Sequence, residues 1–274
     1  MNDTTTATRM AAAEVGISGR RRLLRPDSRL SGVVLVVLLL ILWECSARFG
    51  WVGSRNWPPV SSVLVAVGRG LANGEISIVL VSTLRRMATG YALGCASGVA
   101  LGLVLGANRW LRWLVQPLIE VLRPIPAPAI IPPLILFLGV DDALKIFIIG
   151  LTCLFPAFIN TLAGVNGIDD ILVQTARTFR AGWWRTLIQV ILPASLPSIA
   201  AGLRTAISLA LVVAVTAEMI AGSSGIGYYI VQMQYAMKPE YMYAAVLCLA
   251  IVGYGLNRIF LSVEARAIPW IGRT

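Results

Sequence analysis

MATGYALGCASGVALGLVLGA, residues 87–107, carries five glycines at a spacing of four: Gly90, Gly94, Gly98, Gly102 and Gly106. The stretch has no charge and is about as long as a helix needs to cross a bilayer, ~20 residues. Side chains four apart share a helix face, so glycines in this register lay a smooth groove down one side. In lipid, such a small-residue face lets two helix backbones approach closely. Glycine is frequent in membrane helices, but frequency alone does not produce this spacing. The expectation is a tight helix–helix contact, within the subunit or across a dimer.

The whole chain has the same character. Of 274 residues, 57% are hydrophobic and 13% charged, and mean hydropathy is +0.79. A soluble domain carries roughly 25% charge. The length accommodates about six spans of ~20 residues with their connections. The fold class read from this is all-α, a polytopic membrane protein in contact with a lipid bilayer. The net charge of +10 does not argue for nucleic acid, because membrane proteins collect Lys and Arg in cytoplasmic loops.

Chemistry-bearing residues are sparse. Cys45, Cys95, Cys153 and Cys248 lie far apart without CxxC spacing and read as packing residues. The chain has no His, which removes the commonest metal ligand and general base. The close carboxylate pairs, Asp141-Asp142 and Asp169-Asp170, sit at span ends. No catalytic residue, metal or cofactor is expected.

Residues 1–30 read as a polar N-terminal tail ending in the basic cluster Arg20, Arg21, Arg22, Arg25 and Arg29. The apolar run after it, Gly32–Trp43, leads into Glu44 and Arg48 rather than a small-residue cleavage site, so it reads as an uncleaved first span. Val60, Val63, Leu64, Val67 and Leu71 would line one face of a short helix on the outer surface. The glycine-bearing second span ends at a short cytoplasmic turn marked by Arg109 and Arg112. A third span, from about Pro117, contains LRPIPAPAIIPPLILFLGV, with proline at 124, 126, 128, 132 and 133. Proline at this density breaks a helix, and broken backbone at membrane depth needs protein or a water-filled cavity to satisfy it. Arg123 stands immediately before Pro124. It either snorkels to the cytoplasmic surface or faces a pathway with Pro124 and Pro126.

Asp141, Asp142 and Lys145 then read as an outer turn, followed by a fourth span over Ile146–Gly164 with Pro156 inside it. A fifth span, Ser198–Ala221, contains Arg204 and Glu218, the latter a candidate pathway residue. GSSGIGYYIVQMQYAMKPE is too polar to cross and is expected to fold back outside. A sixth span covers Tyr241–Leu261. The membrane region is thus 31–265, with a C-terminal tail over 266–274. Fourteen Lys and Arg fall on the side of both termini and seven on the other, with Arg123 and Arg204 unassigned, which puts the termini in the cytoplasm.

Between the fourth and fifth spans lies ILVQTARTFRAGWWRTLIQVILPASL, residues 171–196. Leu172, Ala176, Phe179, Trp183 and Leu187 recur at helical spacing, Gly182 interrupts, and Pro193 and Pro197 are expected to end the pattern. Periodicity alone describes an interfacial helix capping the membrane domain.

This stretch resembles the EAA loop of ABC-importer permeases, EAA-x3-G-x9-I-x-L-P. Gln174, Thr175 and Ala176 stand at E-A-A, Arg180 at the glycine, and Val190, Leu192 and Pro193 at I-x-L-P, with a glycine two positions late at Gly182. The likeness extends to Trp43-Glu44, PPVSSV (58–63), TLRRMATGYALG (83–94), residues 122–140, FPAFINTLAGV (155–165) and AEMIAGSSGIGYYI (217–230). Over roughly residues 30–265 the chain is similar to permeases of the nitrate/taurine/aliphatic-sulfonate importer group. The resemblance implies a type I importer in the inner membrane: two permease copies, expected as a homodimer, two cytoplasmic ABC ATPase subunits, and an external substrate-binding protein. It implies that Gln174–Gly182 is a coupling helix docking on the ATPase within the 171–193 loop, with Arg177 and Arg180 on or near its exposed face. The solute implied is small and anionic, with sulfonate, nitrate and taurine as candidates beside the aromatic acids and vitamin precursors that other members of the group move.

A six-span secondary carrier or channel without an ATPase is the alternative. It would show inverted repeats or intramembrane ionisable pairs. No internal repeat is visible, and Arg204 and Glu218 would lie about 21 Å apart along one straight helix. A membrane enzyme is disfavoured by the missing His and scattered carboxylates.

Overall fold

A computed structural model describes residues 29–54 and 56–270, apart from the side chains of 29–31 and 177. Arg20, Arg21, Arg22 and Arg25 of the basic N-terminal cluster, the last four residues and the Arg177 side chain lie outside the described residues. The chain divides into two compact units, with the boundary between Val65 and Ala66.

In the first unit, α1 (Arg29–Arg48) carries the apolar run Val33–Leu42, exposed at every position. Its end is clamped to the residues that open α2 (Val60–Ala72). The Trp43 indole donates to the Pro58 carbonyl at 3.1 Å. The Glu44 carboxylate accepts from the Ser61 N–H at 3.0 Å and the Ser61 hydroxyl at 2.9 Å. Glu44 thereby occupies free N–H groups at a helix N-terminus, where negative charge is favoured. On α2, Val63, Ala66 and Gly70 are buried, whereas Leu64 and Leu71 are exposed.

The second unit is built on α3 (Glu75–Ala107), α6 (Asp142–Asn166) and α8 (Trp183–Ala221). A Cβ on Gly90 would fall 2.7 Å from the Ile149 Cβ, and one on Gly98 2.5 Å from the Leu154 carbonyl. One on Gly102 would fall 2.6 Å from the Thr161 Cβ, and one on Gly106 2.6 Å from Val165. The partners climb with the glycines, so α3 and α6 run parallel with their backbones in close approach. This resolves the open question of the glycine stripe: its contact is within the subunit. Gly90, Gly94, Gly98 and Gly102 are buried in it, and Gly106, near the end of α3, is half-buried. α8 runs antiparallel against the other side of α6, with Gly164 beside Ser195 and Ser198, and Gly202 beside Asn160. The core between them holds Cys95, Ile131, Ile149, Cys153, Ala206 and Ala210.

Among the described residues four helices are long and apolar enough to cross a membrane: α3, α6, α8 and α10 (Pro239–Ala267). A further span is supplied by α4 (Arg109–Leu122) and α5 (Ala127–Leu138), which meet at a 96° bend, if the pair is counted as one broken span. These match the expected all-α membrane architecture, with four spans, or five counting the bent pair, among the described residues. No strand occurs among the described residues.

Several boundaries differ from expectation. α3 begins at Glu75, earlier than the Met87 expected, and Arg85 and Arg86 lie within it. Arg109 and Arg112 lie in the first turn of α4, whose N–H groups at Trp110 and Leu111 are capped by the Asn108 side chain, and not in a bare turn. The third span is interrupted at 123–126, at the proline break expected after Arg123, but its first helix starts at Arg109 rather than near Pro117. Asp142 opens α6, and Lys145 is buried, not part of an outer turn. Pro193 and Pro197 do not end the helix. A π-helical turn over Leu187–Ile191 precedes Pro193, and its wider backbone accommodates a residue that lacks an N–H. After α8, residues 222–225 turn into the short α9 (Ile226–Tyr235), at ten residues too short to cross.

Candidate coupling loop and solute pathway

The loop between α6 and α8 is built around one short helix, α7 (Asp170–Thr178). Asp169 starts it, its carboxylate accepting from the Ile171 N–H at 2.9 Å. The Ala181 N–H reaches back to the Ala176 carbonyl at 3.0 Å, and Arg180 stands between them at φ +50°. That is a left-handed helix cap, the setting in which glycine is usual. The expected helix Gln174–Gly182 is therefore shifted: it ends at Thr178, and Phe179–Gly182 form the exit turn. Ala176 faces inward at 7% exposure, while Gln174, Thr175 and Arg180 are exposed. Gly182 precedes α8 with open space beside it. Leu192 and Pro193 are half-buried within α8. Of the apolar face expected here, Ala176 is buried and Leu187 half-buried, whereas Leu172, Trp183 and Phe179 are exposed, Phe179 at 81%; Ile171 and Trp184 beside them are exposed as well.

A cavity of about 410 Å³ opens beside the bend between α4 and α5. Arg123, Thr152, Asn160 and Thr205 are its polar lining, and Ile125, Leu151, Phe155, Ile159 and Leu209 are among its apolar walls. The bend follows from Pro124 and Pro126. Pro126 holds extended backbone (φ −69°, ψ 125°), and both rings lack the N–H that would continue the helix. Arg123 caps α4 immediately before this break and is exposed. On α8, Arg204, Thr205 and Ser208 form an exposed polar stripe.

Glu218 is not part of this lining. Its carboxylate is 1% exposed and accepts from Arg86 Nη1 at 2.8 Å and the Gly227 N–H at 3.0 Å, with the Thr83 hydroxyl within 2.9 Å of both oxygens. Arg86 also donates to Asp142 at 2.6 Å and to the Ser224 carbonyl at 3.1 Å. Gly225, at φ +104°, wraps the turn so closely that any Cβ would overlap the Glu218 carboxyl. These bonds join α3, α6, α8 and the turn before α9. The sequence reading missed Thr83, Arg86, Asp142 and Ser224, because the partners that join them across helices lie far away in the chain, Glu218 more than a hundred positions from Thr83 and Arg86.

Among the described residues no group of His, Cys, Asp and Glu is placed to hold a metal.

The family model described as "Binding-protein-dependent transport system inner membrane component" matches residues 98–269. The chain is 34% identical over 219 residues to an Escherichia coli protein named as a putative aliphatic sulfonates transport permease, SsuC, covering 80% of this chain and 83% of that one. It is 29% identical over 241 residues to the Bacillus subtilis protein of the same name, covering 88% and 87%. A solved structure of the MetNI methionine ABC transporter, inward facing, shares the fold at TM-score 0.57 and 18% identity, over 77% of this chain and 98% of that one. With its parallel α3–α6 pair, broken span and inter-span loop, the chain belongs to the family of binding-protein-dependent transport system inner membrane components, as an ABC-importer permease subunit.

Proposed function

We propose that this subunit works as one of two identical copies in the inner membrane, with both termini in the cytoplasm. ATP would be hydrolysed by separate cytoplasmic ATPases, and solute delivered by an external binding protein. The observation that carries this is α7 with its exit turn: a short helix between two long spans, exposing Ile171, Phe179 and Trp184 where no described residue covers them. An apolar patch of this kind on a loop calls for a protein partner. Gln174, Thr175, Ala176, Arg177, Arg180 and Gly182 are assigned to that contact. Leu192 and Pro193 are assigned to carrying its movement into α8. ATP binding would draw the two loops together and open the pathway outward, and hydrolysis would return it inward.

Arg123, Pro124 and Pro126 are assigned to the solute pathway. The solute is a small anion of the sulfonate, nitrate or taurine kind, as the relatives' names suggest.

Crosslinking tests the reading. A Gly182→Cys permease is expected to crosslink to a cysteine in the groove of its ATPase, with a yield that changes on adding nucleotide. A yield indifferent to nucleotide, or no ATPase in the purified complex, refutes it.

A further inference from the structure

The cavity beside the broken span has a lining that selects among anions. Its volume, about 410 Å³, lies in the range of small-molecule sites, roughly 300–1,000 Å³. Among the described residues Arg123 is its only charged lining, and no carboxylate faces it. Asn160 Nδ2 donates one hydrogen to the Pro156 carbonyl at 2.9 Å, which leaves its second for a ligand. The hydroxyls of Thr152 and Thr205 are committed to the carbonyls of Ile148 and Ala201 at 2.9 and 3.0 Å. They offer a ligand their methyl groups and oxygen lone pairs rather than a proton. The donors facing the cavity are therefore one guanidinium fork and one amide hydrogen, and the rest of the wall is mainly apolar.

We propose that this cavity is a solute station for an organic monoanion: an oxyanion head on Arg123 and Asn160, with an uncharged apolar stem along Phe155, Ile159 and Leu209. This rests on the permease reading and narrows its substrate class. The guanidinium suits a planar or tetrahedral oxyanion through paired N–H donors. A zwitterion such as taurine would bring an ammonium into a site with no carboxylate to pair it, at the cost of burying an unpaired charge. Nitrate would satisfy the head and leave the apolar wall unfilled. A lipid phosphate shares the head chemistry and is the competing source for the same guanidinium.

The test uses the permease assembled with its ATPase in nanodiscs, without binding protein, and pentane-1-sulfonate as probe in saturation-transfer NMR. The expected result is saturation of the probe's methyl end, and affinity lowered roughly tenfold or more by Arg123→Gln, as for a lost hydrogen bond to a charged group. Leu209→Trp, which fills the cavity without touching the guanidinium, should also abolish it. Taurine, nitrate and added phosphatidylglycerol should not displace the probe.

Displacement by taurine or nitrate at equal concentration overturns the proposed selectivity. Displacement by the anionic lipid assigns Arg123 to a headgroup and overturns the station. Absence of binding, or binding indifferent to both substitutions, also overturns it. The Gly182→Cys crosslink, run on the same preparations, separates the two levels. If it retains its nucleotide dependence while no probe binds, the station fails and the importer reading stands. If no ATPase assembles, both fall.

Discussion

Arg86 Nη1 and Glu218 Oε1 lie 2.8 Å apart with both side chains almost fully buried, tying α3 to α8 across 132 positions of sequence. The pair is not isolated, since Thr83, Asp142, Ser224 and the Gly227 N–H take up its remaining donors and acceptors. Removing one member of a buried pair leaves an uncompensated charge, which costs about 3–5 kcal/mol, whereas replacing both by apolar residues is often neutral. Arg86→Met is therefore expected to lower the thermal stability of the purified permease sharply. Arg86→Met combined with Glu218→Leu should recover much of the loss. A double variant no more stable than Arg86→Met would show that the network acts other than as a paired charge.

Arg180 occupies left-handed backbone at the end of α7, a conformation that costs a residue with a Cβ roughly 1–2 kcal/mol. Arg180→Gly should relieve part of that, about 0.5–1 kcal/mol after the entropy glycine loses on folding. Arg180→Val should be worse than the native residue, because a branched Cβ is least tolerated there. Hydrogen exchange at the Phe179 and Ala181 amides reads both changes. Protection that rises with Val, or falls with Gly, would contradict the cap geometry.

This position also shows what was legible in the sequence. The family motif has glycine where Arg180 stands, and the departure could be seen from sequence alone, but its backbone meaning needed the φ angle. The glycine stripe of α3 was legible because period-four small residues have few causes other than a close helix contact. Which helix it met was not, since parallel packing on α6 leaves no local mark. The prolines placed the break directly after Arg123, where Pro124 and Pro126 make the bend; that Pro132 and Pro133 lie inside α5 could not be read from their number alone. Lys145 looked like part of an outer turn because charge beside an apolar run reads as loop until its burial is seen. Trp43, Glu44 and PPVSSV, by contrast, matched the family as separate motifs, and the structure joins them as one clamp.

Gly94 sits where a Cβ would overlap the Gly150 backbone, whereas Gly255 on α10 has open space beside it. Overpacking a tight contact costs typically ~1–3 kcal/mol, and more when the obstacle is backbone that cannot rotate away. Gly94→Ala should thus lower thermal stability measurably, and Gly98→Ala similarly, since its Cβ would meet the Leu154 carbonyl. Gly102→Ala meets first the Thr161 side chain, and Gly255→Ala meets nothing, so the losses should fall in that order. Equal melting temperatures for the Gly94 and Gly255 variants would mean that α3 and α6 are not held at this separation.

Phe179 is 81% exposed in the exit turn of α7, next to Arg180. Its side chain contributes little to the subunit's own core, so Phe179→Ser should shift the stability of the isolated permease by no more than about 0.5 kcal/mol. A coupling surface predicts a different outcome for the assembly, because aromatic anchors dominate interface energy and hot-spot losses reach ~2 kcal/mol or more. The variant should then lose ATPase during purification and lose ATP-driven uptake, while its melting curve without ATPase matches the native one. Trp184→Ser, also exposed, should act in the same direction. A Phe179→Ser permease that melts normally and retains its full complement of ATPase would remove the turn from the interface and confine any coupling contact to Gln174–Thr178.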